Sequence, residues 1–314
     1  MKFSRVLAIV LAISLTALVG CQSTPTVEPN PAPEEPRLVL IEGDGTEVVL
    51  DEMPERLVVL SVNTAGILAA LGVMPVGIAN TARAPEALKD VPQVGIPMSP
   101  DIEQIIGLRP DLVISSSTFK ATQKSMFEQN NIKAYFIDNQ RYTDVVANIE
   151  MFGELFNKEA EAQALIDGIK VREQALLHSL ANKNKVQPTV MVIFGTAASF
   201  MLSSQYSYVG EMVAILGGKN VTESMTVPGN AAHLPFSLEN VVALNPDVIL
   251  RISHGNPMET KAMFEREFAS NPLWSHISAV QNDRVYDLSQ ALFFSNPGLT
   301  AIDALEELAQ ILYP

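Results

Sequence analysis

Two stretches of this chain repeat one pattern 136 residues apart: DIEQIIGLRPDLVI at residues 101–114 and SLENVVALNPDVIL at residues 237–250. In each copy, a short helical pattern leads through a Pro-Asp turn into a continuous apolar run. Such a run is typical of a strand that is buried on both faces of a parallel sheet. Because the pattern occurs twice, the sequence predicts two α/β lobes.

Further strand and helix patterns alternate around both copies. Alternation of this kind indicates doubly wound, largely parallel sheets with right-handed crossovers. The strand candidates are residues 57–61, 76–78, 132–137, 189–194, 248–252 and 284–288, and the helix candidates are residues 64–71 and 299–312.

A long helix is expected between the two lobes, over residues 159–183. This stretch has no proline and is rich in Ala, Glu, Gln, Leu and Lys. A helix of this length spans roughly 36 Å, enough to run along one side of two lobes. Because a helical connector resists bending, we expect only small lobe movements when a ligand binds. Its apolar stripe consists of Leu165, Ile169, Leu176 and Leu180.

The N-terminus has the composition of a lipoprotein signal peptide. Lys2 and Arg5 precede an apolar run, and small residues stand before Cys21, the single cysteine of the chain. The run is short for a membrane span, which needs about 20 apolar residues. We therefore predict a signal peptide at residues 1–20, lipid attachment at Cys21 and a proline-rich tether at residues 21–36. An uncleaved anchor helix is the alternative, and both place the rest of the chain outside the cytoplasm.

These features divide the remaining chain into three parts. The first lobe is expected at residues 37–141, the linker region with its long helix at residues 142–187, and the second lobe at residues 188–314. About 280 residues are enough for two lobes.

Composition and motifs favour a binding protein over an enzyme. With 21 basic and 35 acidic residues the formal net charge is −14, which argues against a nucleic-acid partner because that affinity comes from Lys and Arg. No nucleophile elbow, dinucleotide or phosphate loop, or paired-histidine metalloprotease motif occurs. We expect a monomer without catalytic residues, and a lipid-anchored hydrolase is the remote alternative.

Taken together, the N-terminal cysteine motif, proline-rich spacer, two lobes, connecting helix and duplicated Glu-x-x-x-x-Leu-x-Pro-Asp pattern resemble the helix-linked class of ABC-transporter substrate-binding proteins. More narrowly, the chain is similar to IsdE/HtsA-type heme-receptor lipoproteins at residues 94–101, 251–255, 263–268 and 279–287. The resemblance implies a cleft between the lobes that binds heme for delivery to an ABC permease. A ferric siderophore or cobalamin is the alternative ligand within the same family.

The resemblance also implies that the heme iron is held between a methionine and a histidine, one from each lobe. The matching residues are Met98 and His254. His254 directly follows a predicted strand, and ligands of doubly wound sheets bind beyond the carboxyl ends of the strands. Met98 lies in a proline-bounded loop before a predicted helix. Such axial ligation raises the reduction potential of the iron and leaves no open position for oxygen chemistry. The alternatives are a methionine that fills the core and a histidine that bonds a loop carbonyl.

Other residues are candidates for the heme propionates and for the permease. The segment from Ser61 to Thr64 leads a strand into a helix whose first amides suit carboxylates. Related receptors tend to carry a basic residue at the position of Arg83, which is otherwise a solvated loop charge.

Glu103 and Glu239 occupy equivalent positions in the two repeat copies. In this class the matching glutamates dock onto arginines of the permease. The alternative is a favourable interaction with the helix dipole, worth about 0.3–1 kcal/mol. The sequence does not choose among four candidates for the apolar walls: Phe119, Tyr206, Phe293 and Phe294.

Overall fold

The computed structural model of this chain describes residues 38–81, 84–181, 186–196, 198–295 and 297–314. The predicted signal peptide, the Cys21 lipid site, the tether, Arg83 and the last two residues of the predicted linker helix lie outside these ranges. Within them, no helix is both long and apolar enough to cross a membrane.

The described residues form strands and α-helices that alternate along most of the chain. The strands are β1 (Leu38–Ile41), β2 (Glu47–Leu50), β3 (Leu57–Val59), β4 (Gly77–Ile78), β5 (Gly95–Ile96), β6 (Ser99–Pro100), β7 (Leu112–Ser116), β8 (Ala134–Ile137), β9 (Thr189–Gly195), β10 (Phe200–Ser203), β11 (Lys219–Asn220), β12 (His233–Pro235), β13 (Val248–Ser253) and β14 (Val285–Asp287). The helices are α1 (Val62–Ala70), α2 (Ile102–Leu108), α3 (Lys120–Gln129), α4 (Asp144–Leu155), α5 (Glu159–Ala181), α6 (Tyr208–Ile215), α7 (Leu238–Leu244), α8 (Pro257–Ser270), α9 (Ser278–Gln281), α10 (Gln290–Phe293) and α11 (Ala301–Leu312).

The first lobe is built on a parallel sheet with the strand order β4-β3-β7-β8. All four strands were predicted, since their apolar residues are buried on both faces of the sheet. The two antiparallel hairpins β1-β2 and β5-β6 were not predicted.

The second lobe has a mixed sheet with the order β12-β10-β9-β13-β14, and β11 also pairs with β9. The contacts of β9 with β11 and β13 are parallel, as expected, but β10 runs antiparallel to both of its neighbours. The reversal follows a tight turn after β9, where the Thr196 hydroxyl accepts a hydrogen bond from the Ser199 amide at 3.0 Å. The β12-β10 edge of this sheet is therefore antiparallel, whereas the sequence predicted a largely parallel sheet.

The duplicated pattern forms the same local structure in both lobes. In each copy a seven-residue helix, α2 or α7, ends at a residue in the left-handed conformation, Arg109 or Asn245. The aspartate of each Pro-Asp turn then binds the start of the neighbouring strand. Asp111 accepts the Arg56 amide at 2.9 Å, and Asp247 accepts the Thr189 amide at 2.8 Å. The repeat therefore specifies how each helix-strand unit joins its sheet.

The predicted connecting helix is α5, which packs on α4 and α11. Ala162, Ile166 and Ile169 are buried on one face, and the rest of the predicted stripe packs against the same core. This core is continuous from the first sheet through the helices to the second sheet. Arg172 adds a bidentate ion pair to Glu306 and a contact of 2.7 Å to Asp303. Small lobe movement remains a prediction that this packing favours.

Candidate functional site

The second lobe presents His254 at the carboxyl end of β13. Its backbone amide donates to the Gly195 carbonyl at 2.8 Å, which extends the parallel ladder by one residue. The Thr260 hydroxyl donates to the His254 carbonyl at 3.0 Å and ties it to the first turn of α8. The imidazole is exposed, and neither ring nitrogen has a hydrogen-bond partner among the described residues. The backbone of His254 is thus fixed while its ring nitrogens remain available to a ligand.

Aromatic rings hold the imidazole of His254 in place. Its ring stacks on Phe294 with centroids 4.9 Å apart and contacts Phe194 at 5.5 Å. Phe294 is 38% exposed, so it can form part of an apolar wall beside the imidazole. Phe293, the neighbouring candidate, is only 1% exposed and belongs to the core. We call the cluster of Phe194, His233, His254 and Phe294 the imidazole wall.

His233 is a member of this wall that the sequence analysis did not select. Its ring lies 4.7 Å from that of Phe194, and its Nδ1 is 3.2 Å from the Ser203 hydroxyl. Burial lowers the pKa of His233, which keeps the imidazole neutral at pH 7. No sequence signal identifies it, because β12 is short and joins the sheet through the unpredicted antiparallel strand β10.

The first lobe presents Met98 at the tip of the β5-β6 hairpin, where Pro97 and Met98 form the turn. The thioether side chain is 68% exposed. Before the hairpin the chain runs parallel beside β4, with the Val94 amide donating to the Ile78 carbonyl at 2.9 Å. The hairpin therefore continues beyond the carboxyl ends of the sheet, where ligands of such sheets bind.

Three contacts fix the base and tip of this hairpin. Gly95 has φ = +91°, and a Cβ there would lie 2.6 Å from the Asp101 nitrogen, so only glycine fits. Asn80 bonds Gly95 twice, through its backbone amide and its side chain. The buried Gln123 side chain donates to the Pro97 carbonyl at 2.6 Å and accepts from Ser115. Met98 is thus an exposed side chain on an anchored turn.

Polar side chains meet at the carboxyl ends of β3, β7 and β8. The Ser116 hydroxyl donates to the Asn139 amide oxygen at 2.8 Å, and the Asn139 side chain lies 3.4 Å from the Ser61 hydroxyl. Thr64 was our candidate for a propionate contact, but it is only 2% exposed and its hydroxyl donates to Ser61 at 3.0 Å. The reason is that α1 begins at Val62, so Thr64 is the third residue of the helix and its amide and hydroxyl both bond the Ser61 cap.

The repeated glutamates lie on the surface, in the first turns of α2 and α7. Glu103 and Glu239 are both exposed, and neither side chain pairs with any residue in the described ranges. The arrangement leaves one accessible carboxylate per lobe.

The fold and site define a class: a two-lobed α/β ligand-binding protein whose lobes are joined by a long helix. The chain belongs to the family of periplasmic binding proteins, whose model matches residues 57–292. Proteins of this family bind a small ligand for an ABC uptake system.

Individual binding proteins are similar to this chain over most of its length. The high-affinity heme uptake system protein IsdE of Staphylococcus aureus is 32% identical over 97% of this chain and 96% of its own length. The crystal structure of S. aureus IsdE complexed with heme matches 82% of this chain and 99% of that chain at a TM-score of 0.75 and 34% identity. An ABC transporter substrate-binding protein from Listeria monocytogenes EGD-e matches 83% of this chain and 99% of that chain at a TM-score of 0.76 and 34% identity.

Proposed function

We propose that this chain binds heme outside the cytoplasm and delivers it to an ABC permease for iron uptake. The observation that carries the proposal is the similarity to a heme uptake protein over almost the whole chain. An exposed thioether and an exposed imidazole at the carboxyl ends of the two sheets support it, since this donor set suits heme iron. Met98 and His254 are the proposed axial ligands.

In this proposal each axial ligand has a distinct environment. The His254 imidazole is presented in a fixed orientation by Phe294 and Phe194, whose rings also offer apolar surface to a porphyrin face. The Met98 thioether can change rotamer at its exposed turn and close on the iron from the other side. With both axial positions filled, the iron is carried without an open site for oxygen chemistry.

The heme propionates are proposed to meet the polar edge of the first lobe. The N-terminal end of α1 and the side chains of Ser61 and Asn139 suit carboxylate oxygens. Thr64 would contribute through the position of the helix rather than through its own hydroxyl. Arg83 stays a proposed partner for one propionate.

Delivery is proposed to use Glu103 and Glu239 as docking carboxylates for basic residues of the permease. Both are exposed, unpaired with described residues and equivalent in the two lobes. We further propose that lipid attached to Cys21 holds the protein at the membrane. The Glu103→Ala, Glu239→Ala double variant should bind heme normally but lose uptake, whereas the control double variant Glu154→Ala, Glu159→Ala should retain both heme binding and uptake. Loss of heme binding in the first variant would contradict docking.

A competition titration tests the ligand itself. Purified protein should take up hemin to one equivalent, turn red and develop a Soret band, and a ferric catecholate or hydroxamate siderophore should not displace the hemin. A colourless protein whose intrinsic fluorescence is quenched only by the ferric siderophore would replace heme with the alternative ligand of the family.

A further inference from the structure

A buried carboxylate links the two lobes beside the crevice. Glu211 lies on α6 of the second lobe and is only 9% exposed. Its Oε1 accepts hydrogen bonds from the Arg141 guanidinium at 2.5 Å and from the Thr143 hydroxyl at 2.9 Å, and its Oε2 accepts the Thr143 amide at 3.1 Å. The acceptor therefore comes from one lobe and all three donors from the segment that follows β8. We call this contact the Glu211 clamp.

On the first-lobe side, the clamp shares one short turn with the crevice edge. Asn139, which bonds Ser116 and Ser61 at the strand ends, stands only two residues before Arg141. The turn between them is rigid, because the Asp144 carboxylate accepts the Gln140 amide at 2.9 Å and the Arg141 amide at 2.8 Å. We therefore expect a displacement of the clamp to move the polar edge of the first lobe.

On the second-lobe side, the clamp is connected to the imidazole wall. The cap of α6 is Ser207, whose hydroxyl donates to the Ser204 carbonyl at 2.7 Å. The Ser204 amide donates to the Ala232 carbonyl at 2.9 Å, next to His233. The ring of His233 packs on Phe194, which in turn contacts His254. Rigid contacts thus run from Glu211 to the imidazole that would bind iron.

A charged group in this position is costly unless it is fully paired, and hydrophobic residues would join the lobes without that cost. The large shared core and α5 already hold the lobes together. The charge-assisted hydrogen bonds of Glu211 add a fixed direction, which apolar packing does not supply. Direction matters where two ligands must approach one iron from opposite sides.

We propose that Glu211 is a positioning residue, which sets the separation of the Met98 turn and the imidazole wall so that both ligands reach one iron. The inference rests on the proposed function. It assigns Glu211 no contact with heme, and its effect is exerted through Arg141 and Thr143.

Three variants in the purified protein test the role. Glu211→Gln keeps the volume and removes the charge, Thr143→Val removes one donor, and Thr143→Ser keeps that donor. Glu211→Gln should release hemin to apomyoglobin about tenfold faster, a size typical of coupling through intervening residues. It should also lose the sulfur-to-iron charge-transfer band. Thr143→Val should shift both readouts in the same direction by less, and Thr143→Ser should restore them.

The matched control is Asp303→Asn, which weakens another polar contact between helices, that of Arg172 at the connecting helix. A merely structural role for Glu211 predicts that Glu211→Gln and Asp303→Asn lower the urea midpoint without changing the heme spectrum. A wild-type spectrum and release rate in Glu211→Gln would overturn the inference. If Glu211→Gln does not fold, the same comparison is decided by Thr143→Val against Thr143→Ser.

A ligand-free measurement separates this inference from the proposed function. Spin labels at Lys124→Cys on α3 and Lys261→Cys on α8, with Cys21→Ser, report the distance between the lobes. Glu211→Gln should broaden the distance distribution, while Asp303→Asn should leave it unchanged. An unchanged distribution in Glu211→Gln would overturn the clamp even if the wild-type protein binds heme. Failure of the wild-type protein to bind hemin would overturn the proposed function and the positioning role together. The distance measurement would still show whether the Glu211 clamp fixes the separation of the lobes.

Discussion

The two lobes present their proposed ligands in opposite ways. His254 continues a central strand of a sheet, and its ring stacks on Phe294 and contacts Phe194. Met98 stands on a two-residue turn, with its side chain 68% exposed. The second lobe therefore offers a preorganised ligand and the first lobe an adaptable one.

If the two side chains ligate heme as proposed, this difference predicts how affinity and release are divided between the lobes. A preorganised imidazole loses little freedom on binding and should supply most of the affinity. A thioether on three rotatable bonds can adjust to the iron, and can also leave it first when the ligand is handed on. The predictions below test this division, beginning with the largest effect.

The ligand substitutions should have unequal effects. His254→Ala should weaken hemin binding by more than about 100-fold, since loss of even an outer-shell partner of a metal ligand costs about 10–100-fold. Met98→Ala should cost about tenfold, or about 1.4 kcal/mol, and leave hemin on His254. Hemin titration followed by absorbance measures both. His276→Ala and Met74→Ala are the controls, and an equal loss in the two ligand variants would remove the distinction between the walls.

The stability of the Met98 hairpin should depend on the glycine at its base, Gly95. Gly95→Ala should destabilise the protein by roughly 1–2 kcal/mol from the left-handed backbone and by roughly 1–3 kcal/mol more from the clash with Asp101. Gly45→Ala is the matched control, because Gly45 has φ = +86° but open space around its Cβ position. Urea unfolding should resolve the difference. Equal destabilisation by the two substitutions would show that the hairpin accommodates a side chain.

Removing the ring that stacks on His254 should loosen the preorganised wall. Phe294→Ala should weaken hemin binding by roughly 2–10-fold, because an aromatic pair is worth about 0.5–1.5 kcal/mol beyond its buried area. Leu273→Ala is the control at the same 38% exposure on a different segment. Unchanged affinity in Phe294→Ala would mean that the strand end alone orients the imidazole.

The smallest effect concerns the pH dependence of the second lobe. Burial lowers the pKa of His233 below its ordinary value of 6.5 in the folded protein, so the unfolded chain binds its proton more readily. Stability should therefore fall as the pH drops below about 6.5, and each pKa unit of the shift is worth about 1.4 kcal/mol. Urea unfolding at pH 7.5 and 5.5 should show a smaller loss for His233→Asn than for the wild type. An equal loss would mean that other groups govern this range.

The sequence predicted the parallel framework because buried strands are encoded locally. The apolar runs that became β9 and β13 also placed His254 at a strand end. The β5-β6 hairpin has strands of two residues and no pattern of its own, so its contacts with Asn80 and Gln123 required the folded chain. Thr64 stays a candidate, and its burial follows from a helix that begins at Val62, two residues earlier than the sequence predicted.

Long-range polar contacts also could not be predicted from the sequence. Glu211 and Thr143 are 68 residues apart, and nothing in either local pattern indicates that they meet. His233 joined the imidazole wall through the unpredicted strand β10.

The central claim is that a sulfur from the first lobe and a ring nitrogen from the second bind one iron. Magnetic circular dichroism of the ferric heme complex tests it most directly. The wild type should show a low-spin spectrum with a sulfur-to-iron charge-transfer band, which Met98→Ala should abolish while imidazole ligation persists. A band that survives in Met98→Ala, or a wild-type spectrum without sulfur ligation, would contradict the account.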